Sequence, residues 1–181
     1  MRKITEVTFL MLLSKSRYSI MKIILNILLL LVCSTYTAKA QEVYNYVLNN
    51  ATRTVNNPIA NFTQTQIAQF KRTALVYLKD KAYQETDTIP SLFLDTQAYY
   101  LSEFVELYIE DVLKSKRMST EERNKRVLIF TDASISNPLF NDADQETTLS
   151  FIKSGGEAIT PFSLDTDWEK AFYAAKSQIK K

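Results

Sequence analysis

Residues 98–113 read AYYLSEFVELYIEDVL, and within them Ala98, Leu101, Val105, Tyr108 and Val112 recur at spacings of three, four, three and four. That rhythm is the α-helical period, so five apolar side chains share one stripe. Phe104 and Ile109 flank it. The segment, from residue 91 or 95 to 117, is therefore predicted as a central helix that touches several neighbours.

Segments on either side keep the same period. Residues 42–54 set Val43, Tyr46, Val47 and Ala51 on one face, with Val55 following. Residues 63–83 do so with Ile67, Phe70, Ala74, Tyr77 and Leu78. Thr63 with Gln66 has the form of a capping box, in which two side chains each satisfy a backbone N–H. A fourth helix is predicted from Ser119, whose capping partner is Glu122. Glu121/Lys125 and Glu122/Arg126 add i,i+4 pairs, and Val127, Phe130 and Ile135 are expected to point inward. A fifth helix, from 142 or 144 to 153, closes at Gly155-Gly156. The last runs from Thr166 toward Lys180, with Thr166 and Glu169 as a third capping box and Trp168, Phe172, Ala175 and Ile179 as its stripe.

Only two glycines and four prolines occur, and the prolines (Pro58, Pro90, Pro138, Pro161) fall between these segments. Sheets joined by tight turns need more glycine. The chain is read as all-α, a single-domain bundle of about five to six helices over residues 41–181.

Residues 1–40 read as a signal peptide. Lys22 opens an almost wholly apolar run over 23–32, and Ala38-Lys39-Ala40 puts small residues at −3 and −1 before Gln41. The run is broken by Asn26 and is about half the roughly 20 residues that a spanning helix needs. Met21-Lys22 makes the better start of a signal, so residues 1–20 are expected to be a mis-assigned start. Lipidation at Cys33 is the alternative, and it meets Val32 where such signals carry Gly, Ala or Ser. The working chain is expected in the periplasm or secreted, with no transmembrane anchor after cleavage.

Composition then removes whole classes of chemistry. Cys33 is the only cysteine, so the mature chain has no thiol and no disulfide. Histidine is absent, which excludes Ser-His-Asp triads, Cys-His pairs, haem-ligating histidine and the common zinc sites. No cofactor motif occurs, and no cofactor is expected. Cleavage leaves 16 Lys/Arg against 19 Asp/Glu, a net charge of −3, and the pI of 8.5 belongs to the precursor. Without a basic stripe to follow a phosphate backbone, nucleic acid is not an expected partner.

Glu103, Glu106 and Glu110 lie three and four apart and share a helix face, and with Asp132 they are the candidate cation ligands. At 100° per residue the three glutamates fall opposite the Leu101, Val105, Tyr108, Val112 stripe and beside Lys114 and Arg117, which makes a solvated face the expectation. Asp132-Ala133-Ser134-Ile135-Ser136 has the D-x-S-x-S form and resembles the metal-ion-dependent adhesion site of von Willebrand A domains. In that family the motif follows a buried strand, whereas here a helix capping box precedes it. Asn141, Asp142, Asp144 and Glu146 alternate as calcium ligands do but lack the EF-hand glycine, so Asp142 or Asp144 is read as a helix cap. Eight tyrosines follow residue 40, and their helical spacing puts most in or beside the core, with a ligand groove as the alternative. Asn50-Ala51-Thr52 and Asn61-Phe62-Thr63 match the N-glycosylation sequon, and Asp87-Thr88-Ile89 resembles the O-glycosylation motif of Bacteroidetes.

The junction Ala38-Lys39-Ala40-Gln41, the segment Pro138-Leu139-Phe140-Asn141-Asp142, and Thr160-Pro161-Phe162-Ser163-Leu164-Asp165-Thr166-Asp167-Trp168-Glu169-Lys170-Ala171 together resemble uncharacterised small exported helical proteins of Bacteroidetes. The resemblance implies a periplasmic or secreted bacterial setting and no catalytic residue. Two functions remain. The preferred one is an exported binding module for a protein or surface polymer. The alternative is a carboxylate-based hydrolase acting on an extracytoplasmic substrate such as a glycan, needing two acidic groups about 5 to 10 Å apart in a groove lined by Tyr99, Tyr100 or Trp168.

Overall fold

The first helix, α1 (Glu42–Val55), is held to its neighbours by a residue one place away from the predicted stripe. Tyr44 is buried, its hydroxyl donates to the Leu75 carbonyl at 3.0 Å, and its backbone N–H donates to Asp95 at 2.8 Å. Val43 and Tyr46, predicted inward, are exposed. The reason is hydrogen bonding: Tyr44 lies in the first helical turn, whose N–H groups have no partner within the helix, and Asp95 supplies one.

The computed structural model describes residues 42–85, 91–115, 117–142 and 160–179. Among these are five α-helices and no strand: α1, α2 (Phe62–Glu85), α3 (Ser91–Tyr108), α4 (Thr120–Ile135) and α5 (Trp168–Ile179). The protein is an all-α single-domain bundle. The signal segment with Cys33, Asp87 to Ile89, Asp144, Glu146 and the predicted fifth helix with its Gly155-Gly156 end lie outside the described residues. No described helix is long and apolar enough to cross a membrane.

α1 and α2 form an antiparallel hairpin. The Asn57 side chain accepts from the Ile59 N–H in the turn, and Asn61 and Gln64 then cap α2 reciprocally, at 2.9 and 3.1 Å. The capping box therefore sits at Asn61/Gln64, not at Thr63/Gln66, because the turn delivers the chain into the helix by residue 62. α3 is central, packing on α1, α2 and α5. Its predicted continuation to 117 is interrupted: residues Ile109–Leu113 form a π-helical turn in which the Lys114 N–H donates to the Ile109 carbonyl at 2.8 Å. The extra residue in that turn leaves carbonyls open, and the Arg123 guanidinium donates to those of Val112 and Ser115.

α4 begins at Ser119, whose hydroxyl accepts from the Glu122 N–H at 3.2 Å, as the sequence predicts. Phe130 is buried, but Ile135 is exposed and Ala133 and Ser134 take the inward positions, three and four residues beyond Phe130. α5 is capped by Asp167, which accepts from the Lys170 N–H, and not by Thr166. Thr166 is withdrawn into the core, where its hydroxyl meets Ser134 at 3.0 Å and the Ser163 carbonyl at 2.9 Å. The stripe Trp168, Phe172, Ala175 is buried as predicted, with Ile179 packed on its edge.

The core is aromatic. Phe104 meets Phe130, Phe162 and Trp168 with ring centroids 5.1 to 5.5 Å apart, and Phe70 and Tyr108 complete the cluster, mostly edge to face. Such pairs add about 0.5–1.5 kcal/mol each beyond the area they bury.

Candidate functional site

The two segments that carry the resemblance, 138–142 and 160–171, are packed together by one carboxylate. Buried Asp165 accepts from the backbone N–H groups of Leu139 and Phe140 through Oδ1, and from that of Asp142 through Oδ2, all within 3.0 Å. Asn141, between them, takes a positive φ of 50°, which asparagine tolerates better than most residues. Asp142 in turn binds Lys81 at 2.6 Å and the Tyr77 hydroxyl at 2.9 Å. Gln97 completes the arrangement, accepting from the Trp168 N–H and donating to Asp167. These bonds consume both oxygens of Asp165, so the cluster locks the chain and offers no open ligand position.

A concave site lies elsewhere, between α1, α2 and α3. It is a cavity of about 520 Å³, within the ordinary range of ligand clefts. Tyr46, Val47, Asn50, Ala51 and Thr54 line it from α1, Asn57 and Ala60 from the turn, Gln64, Ile67, Ala68 and Lys71 from α2, and Ser102, Glu106 and Ile109 from α3 and its π turn. From residue 46 to 54 the α1 wall is about 12 Å long.

Lys71 is the cation of this groove. Its side chain keeps 15% of its surface exposed, against 59% for Glu106. Its contacts are long: 3.4 Å to the Ser102 hydroxyl and 3.6 Å to the Glu106 carboxylate, where a tight charge-assisted bond measures about 2.7–2.9 Å. Burial holds the ammonium below its ordinary value of 10.5, and the pull of Glu106 and Glu103 in the other direction does not cancel that effect.

The local fold also decides which way the groove's amides are polarised. The Asn57 and Gln64 carbonyl oxygens are already used by the turn and the helix cap. Their amide NH₂ groups have no partner among the described residues, and neither does the Asn50 side chain. Thr54 donates its hydroxyl to the Asn50 carbonyl. The groove is thus rich in unused donors and carries one acidic side chain, Glu106.

The candidate ligands read from the sequence separate. Glu110 pairs with Lys114 on the solvated face, as expected. Glu106 instead turns toward Lys71 across the helix pair, and Glu103 is half-buried. Asp132 is exposed while Ser134, two residues on, is buried against Thr166 and the Ser163 N–H, so the D-x-S-x-S residues do not converge. Among the described residues no three His, Cys, Asp or Glu side chains gather as a cation site.

Trp168 is wholly buried, and Tyr99 and Tyr100 lie outside the groove. They form an aromatic patch with Phe172 and Tyr173, in which the Tyr100 and Tyr173 hydroxyls meet at 3.0 Å. That hydrogen bond, then burial, raises the Tyr100 phenol above its ordinary value.

The groove residues Lys71, Asn57 and Gln64 escaped the sequence reading. One signal was available: Lys71 falls on the stripe Ile67, Ala74, Leu78, a charge set among core positions, and such local rule-breaking marks functional places. Comparison with family models, curated proteins and solved structures finds no match for the chain.

Proposed function

We propose that this protein is an exported binding module that captures a small, oxygen-rich ligand, free or as part of a surface polymer, in the α1–α2–α3 groove. The observation that carries the reading is a cavity of about 520 Å³ lined by the solvent-facing amides of Asn57 and Gln64 and by Lys71, whose bonds to Ser102 and Glu106 are long. Lys71 is largely buried with long contacts, and titratable residues perturbed in this way cluster at functional places. Tyr46 and Ile67 add apolar walls against which a flat ligand can lie. Export rests on the signal-like residues 21–41.

The hydrolase alternative needs two facing carboxyl groups, and among the described residues Glu106 is the single acidic one lining the groove. This favours binding without turnover. The test is a thermal melt against glycan fragments: a true ligand at 100 times its dissociation constant adds about 2.7 kcal/mol of stability. An Asn57→Ala, Gln64→Ala double variant should lose that shift. A melt unmoved by any fragment removes the proposal.

A further inference from the structure

The polar groups at the two ends of the groove are unlike. Near the α1–α2 turn stand neutral amide donors, on Asn50, Asn57 and Gln64, whereas at the α3 end stands a single ammonium, Lys71. Resting on the binding reading above, we infer that the groove selects an acidic saccharide, placing its carboxylate on Lys71 in competition with Glu106.

Two features of the Lys71 surroundings carry this. An ammonium has three donors, and the two neighbours that Lys71 has found lie at 3.4 and 3.6 Å, so short bonds remain to be made. Glu106 is the more exposed member of the pair and sits on the outer edge, so its side chain can leave for water while Lys71, held in the packed wall, cannot follow. An incoming carboxylate replaces one carboxylate by another at a shorter distance, and the local charge is unchanged in kind.

A bare carboxylate would satisfy Lys71 alone. The amides of Asn50, Asn57 and Gln64 are strung along the rest of the groove and need further oxygen acceptors, which the hydroxyl and ring oxygens of a sugar provide. The wall of about 12 Å is longer than one pyranose ring. Tyr46, 67% exposed yet lining the groove, offers the flat face on which sugar C–H groups stack. Glu106 then acts as an internal competitor for Lys71 that the acidic ligand displaces, while a neutral ligand leaves the Lys71–Glu106 pair in place.

The experiment is calorimetric titration of the full chain with galacturonate, a galacturonate trimer, and a glucose trimer as the uncharged counterpart, at low and at 0.5 M salt. The acidic trimer should bind, weakened by salt, and the uncharged one more weakly by about tenfold or more, the worth of one charge-assisted hydrogen bond. The monomer arm tells a free sugar acid from a polymer segment: binding that needs the trimer assigns the polymer. Lys71→Met should lose the preference and Glu106→Gln should tighten the acidic trimer several-fold, both with unchanged circular dichroism and cooperative melts. Equal binding of both trimers, untouched by Lys71→Met, overturns the acid preference while leaving the groove reading intact. Weakening by Glu106→Gln overturns the competitor role. No binding of any sugar overturns both readings.

Discussion

Where α3, α4 and α5 meet, the buried polar side chains Gln97, Ser134, Ser163, Asp165, Thr166 and Asp167 are joined to one another or to backbone groups, so the low-dielectric interior strengthens each bond. Along the α1–α2 face the same kinds of residue stand differently. Asn50, Asn57 and Gln64 are exposed and turn their amide donors to solvent, and Lys71 is largely buried with only long contacts to Ser102 and Glu106. The first region uses polarity to specify one packing. The second leaves polarity unspent, which is what a binding surface needs before its ligand arrives.

Four measurements would break or sharpen that contrast. The largest effect is expected at the shared centre: Trp168→Ala removes a fully buried ring touching Phe70 and Phe104 and should cost about 3–5 kcal/mol in chemical denaturation. Asp165→Ala comes next. It strands three backbone N–H groups of residues 139–142 and should cost about 3 kcal/mol, together with faster amide exchange at Leu139, Phe140 and Asp142. If exchange there is unchanged, the 138–142 segment is not held by this carboxylate.

Asp167→Ala should cost about 1 kcal/mol, the usual worth of a helix cap, and it carries a pH signature. Burial alone would raise the Asp167 carboxyl, yet the hydrogen bonds from Lys170 and Gln97 outweigh it and hold the group below 3.8. A carboxyl depressed in the folded state contributes stability above its unfolded value and loses it as pH falls through the folded one. The wild type should therefore lose stability on acidification below about pH 4 more steeply than the variant, in melts followed by circular dichroism.

The smallest effect, and the opposite sign, belongs to the groove. Lys71→Met should leave the melting temperature at neutral pH unchanged or raise it, since the folded state disfavours this charge. Because the folded value lies below 10.5, the native protein sheds the Lys71 proton first as pH rises, and its stability relative to the variant should climb through the alkaline window below 10.5. A clear drop in the melting temperature of Lys71→Met would make Lys71 a structural residue and place the groove in the same class as the Asp165 region.

Much of the bundle was legible because helical spacing reports burial directly. Ala98, Leu101, Val105, Tyr108 and Val112 are all buried, and so are Phe70, Ala74, Leu78, Trp168, Phe172 and Ala175. Ser119 caps α4 as its local pattern demands. Several departures arise where a partner outside the helix outbid the local rule, while the α2 cap moved to Asn61/Gln64 for a local reason, the turn before it. Asp95 claimed the Tyr44 N–H and turned α1. Ser134 drew Thr166 inward and left Asp167 to cap α5. Arg123 took the carbonyls that the π turn after Tyr108 sets free.

The groove was legible only as an anomaly, a lysine on an apolar stripe. Sequence alone determined the described helices, most of their apolar faces and the absence of imidazole chemistry, because these depend on residue type and spacing within a few turns. Tertiary structure decided which carboxylate reached Lys71 and which faces of α1, α2 and α3 enclose the groove. The partners of Lys71 depend on contacts between residues 30 or more apart in the chain, such as Lys71 and Ser102, which no local pattern encodes, whereas the amide oxygens of Asn57 and Gln64 are taken by neighbours two and three residues away.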